Sequence, residues 1–279
     1  MKLIAHISDL HFGREDPAVA EGLVADLHRL QPALVINSGD FTQRARRSQY
    51  LSAAEFMKRL PHPQLSVPGN HDIPLFDLVR RFLSPLKRYR KFISKDLFPR
   101  YRDDGLMVLG INTARSLTWK SGRISLGQME EMERVMSSLP PSLFKIMVTH
   151  HPFIPPPGQE DAGVTLVGRA ARALEVFERC GVDLLLSGHL HHGYTGDIRT
   201  FYPSAKRSIV VLQAGTAISR RVRHEPNGYN VIRLEEERID IEVRRWEKMK
   251  FSEAGRILFT LEDGRWVSKS GKSSIKLSS

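Results

Sequence analysis

Seven short apolar runs punctuate this chain: LIAHIS (3–8), ALVINS (33–38), QLSV (64–67), MVLGINT (107–113), KIMVTH (145–150), VDLLLS (182–187) and IVVLQ (209–213). Runs of this length without strict alternation read as strands buried on both faces. Segments of helical period separate most of them. DPAVAEGLVADLHRL offers Asp16 as N-cap, Pro17 at the first helical position, and Val19, Leu23, Leu27 and Leu30 on one face. SLGQMEEMERVMSSL starts at Ser125 and turns Met129, Met132, Val135 and Met136 inward, and RAARALEVFERCG stops at Gly181. Strands alternating with helices predict an α/β sheet protein. After residue 228 the pattern changes. YNVIRL and RIDIEVRRW flank Glu235 to Glu237, and RILFTL and RWV flank Glu262, Asp263 and Gly264, so two antiparallel hairpins are expected. The expected organisation is one domain over 1–267, with a polar tail over 268–279 expected to be disordered.

The residues that follow the apolar runs carry the chemistry. The first run leads into Asp9 and His11, the second into Asp40, and the third into Asn70, His71 and Asp72. A later run ends in THHP with His150 and His151, and the next in SGHLHHG with His189, His191 and His192. In an open α/β sheet the loops at the carboxyl ends of the strands share one crevice. Any one of these residues alone is an ordinary turn residue or helix cap. The ordered set DxH, GD, GNHD, HH, GHxH, each after an apolar run, is specific. Asp9, His11, Asp40, Asn70, His150, His189 and His191 are too many ligands for one transition metal with an open position. They suit two ions that share a carboxylate. Oxygen and nitrogen donors without thiolate point to Mn, Fe, Zn or Co rather than calcium. Glycines beside Asp40, Asn70 and His189 are expected to permit tight turns.

With these motifs the chain resembles the calcineurin-like metallophosphoesterases over residues 9 to 191. GNHD, THHP and GHLHH look most like the bacterial cyclic-nucleotide phosphodiesterase branch. The resemblance implies a four-layer α/β/β/α sandwich of two mixed sheets flanked by helices. It implies that Asp9, His11, Asp40 and His191 hold one metal, and that Asp40, Asn70, His150 and His189 hold the other. His150 is preferred to His151 because the family's ligand lies two residues before a proline, here Pro152. His71 matches the family's non-ligand histidine, which faces the leaving-group oxygen as an imidazolium. The implied activity is hydrolysis of a phosphodiester, a cyclic nucleotide or other small diester, by attack of a metal-bridging hydroxide. Some branches place an acid three residues after the bridging Asp to support that histidine. Here the position holds Gln43, and Asp72 is a candidate only by adjacency. His192 has no counterpart and is expected to be solvated.

Charge bears on the substrate. The chain carries 42 Lys and Arg against 31 Asp and Glu, a net charge of +11, which favours anionic partners. The segment 74–104 interleaves nine Lys or Arg with Phe and Tyr. Its apolar stripe of Leu75, Leu78, Val79, Phe82 and Leu86 is expected to pack on the body as a helical insertion broken near Pro85. The functional alternative is a basic, aromatic lid whose Arg80, Arg81, Lys87 and Arg88 contact a small anionic substrate, or a peripheral element at an anionic membrane surface. That second possibility speaks for the family's lipid-linked branch, a membrane-surface pyrophosphatase of nucleotide-linked sugar lipids. A DNA nuclease ranks lower, because no further domain or coiled-coil partner segment accompanies the motifs. A metal-stabilised binding scaffold is the non-enzymatic alternative. The single cysteine, Cys180, leaves no intrachain disulfide and no thiolate zinc site. The N-terminal MKLIAHISD lacks an apolar leader pattern, so a cytoplasmic protein is expected.

Overall fold

A computed structural model describes residues 1–159, 163–221 and 225–269. β1 (Lys2–Ile7), α1 (Pro17–Leu30), β2 (Leu34–Asn37), α2 (Arg47–Arg59) and β3 (Gln64–Ser66) open the chain. α3 (Leu78–Leu83), α4 (Lys87–Phe92) and β4 (Arg100–Arg102) form the 74–104 segment. β5 (Leu106–Gly110), α5 (Leu126–Met136), β6 (Phe144–Val148), α6 (Ala170–Cys180), β7 (Leu184–Ser187), β8 (Tyr194–Asp197) and β9 (Val210–Gln213) follow. β10 (Gly228–Glu235), β11 (Arg238–Glu247), β12 (Lys250–Glu262) and β13 (Arg265–Ser268) close it. Of the expected tail, Ser268 ends β13 and residues 270–279 lie outside the described residues.

Capping holds the helices where the sequence predicts them. Asp16 accepts hydrogen bonds from Ala18 N (3.0 Å) and Val19 N (3.4 Å). Ser125 and Gln128 exchange bonds as a capping box. Gly181 ends α6 at φ 72°. Asp263 and Gly264 turn the last hairpin with φ of 48° and 72°, the sign that a primed turn demands.

The strands form two mixed sheets. One has the order β13-β12-β11-β10-β1-β2-β3 and the other β4-β5-β6-β7-β9-β8. β1, β2 and β3 run parallel, as do β5, β6, β7 and β9, while the late strands pair antiparallel and join the first sheet through β10 on β1. Ile4, Ile36, Val108, Ile146, Leu186 and Ile232 interlock between the sheets. α1, α2 and α4 pack outside the first sheet, and α5 and α6 outside the second. The result is the expected four-layer α/β/β/α sandwich.

The 74–104 segment corrects an expectation. Its chain breaks around Pro85, and Leu86 and Tyr89 are buried, yet Leu78, Val79 and Phe82 are exposed, so most of the stripe does not pack on the body. Six-residue α3 is too short to turn a heptad face inward, and buried Arg81 occupies the side of α3 that meets the core.

A buried ionic network fixes α1 on the first sheet. Arg244 of β11 donates to Asp26 of α1 (2.6 and 3.0 Å) and to Glu242 (2.5 Å), and Tyr229 of β10 donates to Asp26 (2.5 Å). Removing one partner of a buried pair leaves the other charge uncompensated. Asp26→Ala is expected to lower unfolding stability by about 3 kcal/mol, read as a drop in the urea midpoint, with a smaller drop in Asp26→Asn.

Candidate metal centre

The ligand-type residues meet where the two sheets present the carboxyl ends of their parallel strands. β1 delivers Asp9 and His11, β2 Asp40, β3 the tight turn Asn70–Asp72, β6 His150, and β7 His189 and His191. His11 Nε2 lies 3.4 Å from Asp9 Oδ1 and 3.7 Å from Asp40 Oδ2, and His191 Nδ1 lies 3.6 Å from Asp9 Oδ1. On the other side His150 Nε2 is 3.4 Å from Asp40 Oδ2 and 3.2 Å from Asn70 Oδ1, which is 3.0 Å from His189 Nδ1. Asp40 Oδ2 therefore faces both groups. All seven sequence-predicted ligands are brought together.

The donor set fits metal ions. Among the described residues, Asp9 Oδ1 and both ring nitrogens of His11 are buried without a hydrogen-bond partner. Leaving such a group unsatisfied costs about 1–3 kcal/mol, and a cation bound between them removes that penalty. Asp9, His11 and His191 bring ligand atoms within 4.8 Å of one another, as do Asp9, Asp40 and His150. The family of His and Asp clusters fits a dinuclear divalent site. His150 Nδ1 donates to the Ser38 carbonyl (2.8 Å), which leaves its Nε2 lone pair for the site. His151 stands in a third group with His150 and His189. Both its nitrogens are already engaged, by Thr113 Oγ1 (2.7 Å) and the Lys120 carbonyl (3.0 Å).

Electrostatics show what the bare cluster endures. Burial favours the neutral acid at Asp40, yet His150, His71 and His11 hold its carboxyl well below the usual range. Burial likewise opposes ionisation of Asp9, and the surrounding imidazoles overcome it. Burial lowers the His150 imidazole, but Asp40 and Asp9 more than reverse this and carry it to about 9. His189 and His191 are driven down, to about 3 and about 4, by burial first and by neighbouring positive groups.

The loops pay in backbone strain. Asp9, His11, Asp40, His189 and His191 all have φ between 47° and 82°, the left-handed region that L-residues avoid. Gly39 sits at φ 111°, where only glycine is at ease. Gly69 is required for space instead, since a Cβ there would lie 2.1 Å from Asp40 Oδ1. Asp72 clamps the two loops. Its buried carboxylate accepts from Phe41 N (3.2 Å), Thr42 N (3.0 Å), Thr42 Oγ1 (3.1 Å) and Gly69 N (3.0 Å). Asp72 therefore does not support the His71 ring. The backbone carbonyl of Gln43 does, accepting from His71 Nδ1 at 2.8 Å. His192 is not simply solvated, because its Nδ1 lies 3.4 Å from Glu225 Oε1.

A cavity of 240 Å³ opens on the cluster, lined by Asp40, Asn70, His71, His189 and His191 together with Lys120 and Arg221. Arg221 Nη1 lies 2.7 Å from His71 Nε2. Burial first, and the adjoining charges of His11 and Arg221, bring His71 down to about 4 against the pull of Asp40, so the resting ring is neutral. Sequence reasoning missed Lys120 and Arg221. The only signal was a basic residue in the TWKSG loop and a basic pair in SRR, after the last parallel strand. None of Arg80, Arg81, Lys87 and Arg88 lines this cavity. Arg80 pairs with Asp77, Arg88 donates to the Ala45 carbonyl, Lys87 borders a neighbouring cleft, and Arg81 is bonded to backbone carbonyls.

Two expectations follow from this geometry. Metal analysis of purified Asp40→Ala should show loss at both positions, whereas His191→Ala should lose mainly one ion per chain. The second concerns His6, buried beneath the site with Nε2 3.0 Å from Ser38 Oγ. Burial, only partly offset by Asp9, lowers its imidazole to about 3. The unfolded chain takes up that proton near pH 6.5, so the native state loses stability as pH falls from about 6.5 towards 3, by about 1.4 kcal/mol per pH unit at full slope. Urea midpoints between pH 7.5 and 5, measured in chelator, should fall less steeply in His6→Asn.

Comparison with known proteins agrees with the architecture. A family model described as calcineurin-like phosphoesterase matches residues 2–193. No curated protein matches the chain in sequence. Among solved structures, a purple acid phosphatase from yellow lupin (Lupinus luteus) seeds aligns with a TM-score of 0.67 at 11% identity, covering 95% of this chain and 54% of the phosphatase. This chain thus spans about half the length of that relative. A metallophosphoesterase from Sphaerobacter thermophilus aligns at 0.46 with 16% identity and 88% of each chain covered. Vps29 from Chaetomium thermophilum aligns at 0.48 with 12% identity, over 93% of this chain and 99% of that one. With the family model covering well over half its length and the fold in agreement, the chain belongs to the calcineurin-like phosphoesterases.

Proposed function

We propose that the chain is a phosphodiesterase acting on a small diester, a cyclic nucleotide among the candidates. One observation carries the reading: two ligand groups joined at Asp40 open on a cavity whose walls also include Lys120, Arg221, His71 and Thr165. Asp9, His11, Asp40 and His191 would hold one metal, and Asp40, Asn70, His150 and His189 the other. Metals bound there supply Lewis-acid charge to the phosphoryl group and to the attacking water. The chain's own residues orient the substrate. Lys120 and Arg221 bind the anionic phosphoryl oxygens, Arg221 as a forked donor. His71, held by the Gln43 carbonyl at Nδ1, accepts from Arg221 at Nε2 and would meet the leaving oxygen only after taking up a proton there, with the Arg221 guanidinium beside it as the resting donor. The resemblance of GNHD, THHP and GHLHH to the cyclic-nucleotide branch supports the diester class. A membrane-surface hydrolase of a nucleotide-linked sugar lipid is the second reading, favoured by the exposed apolar side chains of α3.

Chelation is expected to abolish hydrolysis of bis-p-nitrophenyl phosphate and Mn²⁺ to restore it. Full turnover by metal-free protein refutes the reading, and metal binding without turnover on a panel of diesters, cyclic nucleotides, a nucleotide-sugar lipid and single-stranded DNA supports a binding scaffold instead. His71→Ala should keep its metals. It should lose about 10²–10⁴-fold on an alkyl diester and much less on the aryl ester, whose phenolate leaves without help. If Arg221→Ala shows that leaving-group dependence and His71→Ala does not, the guanidinium meets the charge.

A further inference from the structure

Most of the large apolar side chains exposed among the described residues lie on two adjoining segments. Phe76, Val79, Phe82 and Leu83 (77, 68, 53 and 81% exposed) stand on and beside α3, and Leu117 and Trp119 (84 and 56%) on the loop after β5. Scattered exposed hydrophobics need no explanation, whereas a gathered set marks a contact surface. Arg81 builds the gathering. Itself only 2% exposed, it donates to the carbonyls of Pro74 (3.0 Å), Ser116 (2.8 Å) and Thr118 (2.6 Å), and its guanidinium lies 4.8 Å from the Trp119 ring. A buried cation thus staples the two segments in a pose that turns their apolar side chains outward.

The same region is cationic. Between residues 73 and 95 there are seven Lys or Arg and one acid, Asp77, which pairs with Arg80. It also borders the metal centre. The Trp119 carbonyl accepts from Asn70 Nδ2 at 3.4 Å, Lys120 lines the cavity, and Arg44 spans from His71 Nδ1 (3.5 Å) to the Phe76 ring (6.0 Å).

The geometry points to an anionic lipid bilayer as the occupant of this face. Apolar side chains enter the acyl boundary while flanking Lys and Arg meet headgroup phosphates. Aliphatic Val79, Leu83 and Leu117 favour lipid over nucleic acid, whose bases stack on aromatic rings and guanidinium planes. The excess of cations disfavours a symmetric contact with a second copy, which would set like charges against each other. Docked in this way, the metal cavity opens at the headgroup layer. The docking rests on exposed side chains and charge, not on turnover, so it is measurable whatever the substrate.

The test is flotation of the full chain with vesicles of phosphatidylcholine, with and without phosphatidylglycerol. Binding is expected with the anionic vesicles and should weaken as salt rises. Trp119 emission, taken as the difference between wild type and Trp119→Phe, should shift to the blue. Val79→Glu combined with Leu83→Glu should lower partitioning by at least about tenfold, while metal content and turnover of a soluble diester stay unchanged. No binding to anionic vesicles, binding that the double variant leaves intact, or capture of single-stranded DNA through these residues in place of vesicles overturns the proposal.

Discussion

Two carboxylates and four imidazoles are buried together at the meeting point of the two sheets, and several of their polar atoms find no partner in the protein. Water cannot reach Asp9 or His11, and their backbones are tied to the neighbouring loop, Asp9 N donating to the Gly39 carbonyl and His11 N to the Asp40 carbonyl (2.9 Å each). Cations shared between the groups would relieve the unpaired atoms, so the cluster fits metal ions.

What holds so unfavourable a cluster in place is the scaffold around it. Five ligand residues keep left-handed backbone, which a flexible loop would abandon. Asp72 draws the Asp40 and Asn70 loops onto one carboxylate, and Ser38 and Thr216 orient His150 and His191 from behind. Under the site the apolar inter-sheet core gives way to polar side chains: His6, Ser38, Asn230, Gln213 and Ser187 bond to one another there. The strain at the ligands is therefore met by hydrogen bonds that reach across both sheets.

Around this centre the chain spends its freedom unevenly. Asp9, His11 and His150 are fully buried, whereas the mouth on the other side of the cluster is walled by Lys120 and Arg221, which stand in loops far apart in the chain. The 74–104 segment shows how the same apolar period can have opposite outcomes. Leu86 enters the core, while Val79 and Phe82 of the same stripe face outward, because Arg81 claims the inner side of α3 for three backbone carbonyls. Spacing reports which residues share a face. It does not report which way a short helix turns that face.

The strands, the caps at Asp16 and Ser125, the Asp263–Gly264 turn and the meeting of the seven ligand-type residues were legible in the sequence, because each depends on a local signal: apolar runs, side chains that bond their own backbone, and polar residues at run ends. The turn at Lys248 and Met249 was not, since both take left-handed φ without the glycine or asparagine that announces it. Nor were β4 and β8, short strands that exist through their pairing with β5 and β9. Tertiary structure alone decided that β10 lies against β1, that a backbone carbonyl rather than an acid holds His71, and that Arg221 reaches that ring from 150 residues away. These are contacts between distant segments. Their partners are chosen by how two twisted sheets pack, a choice that no short stretch of sequence records.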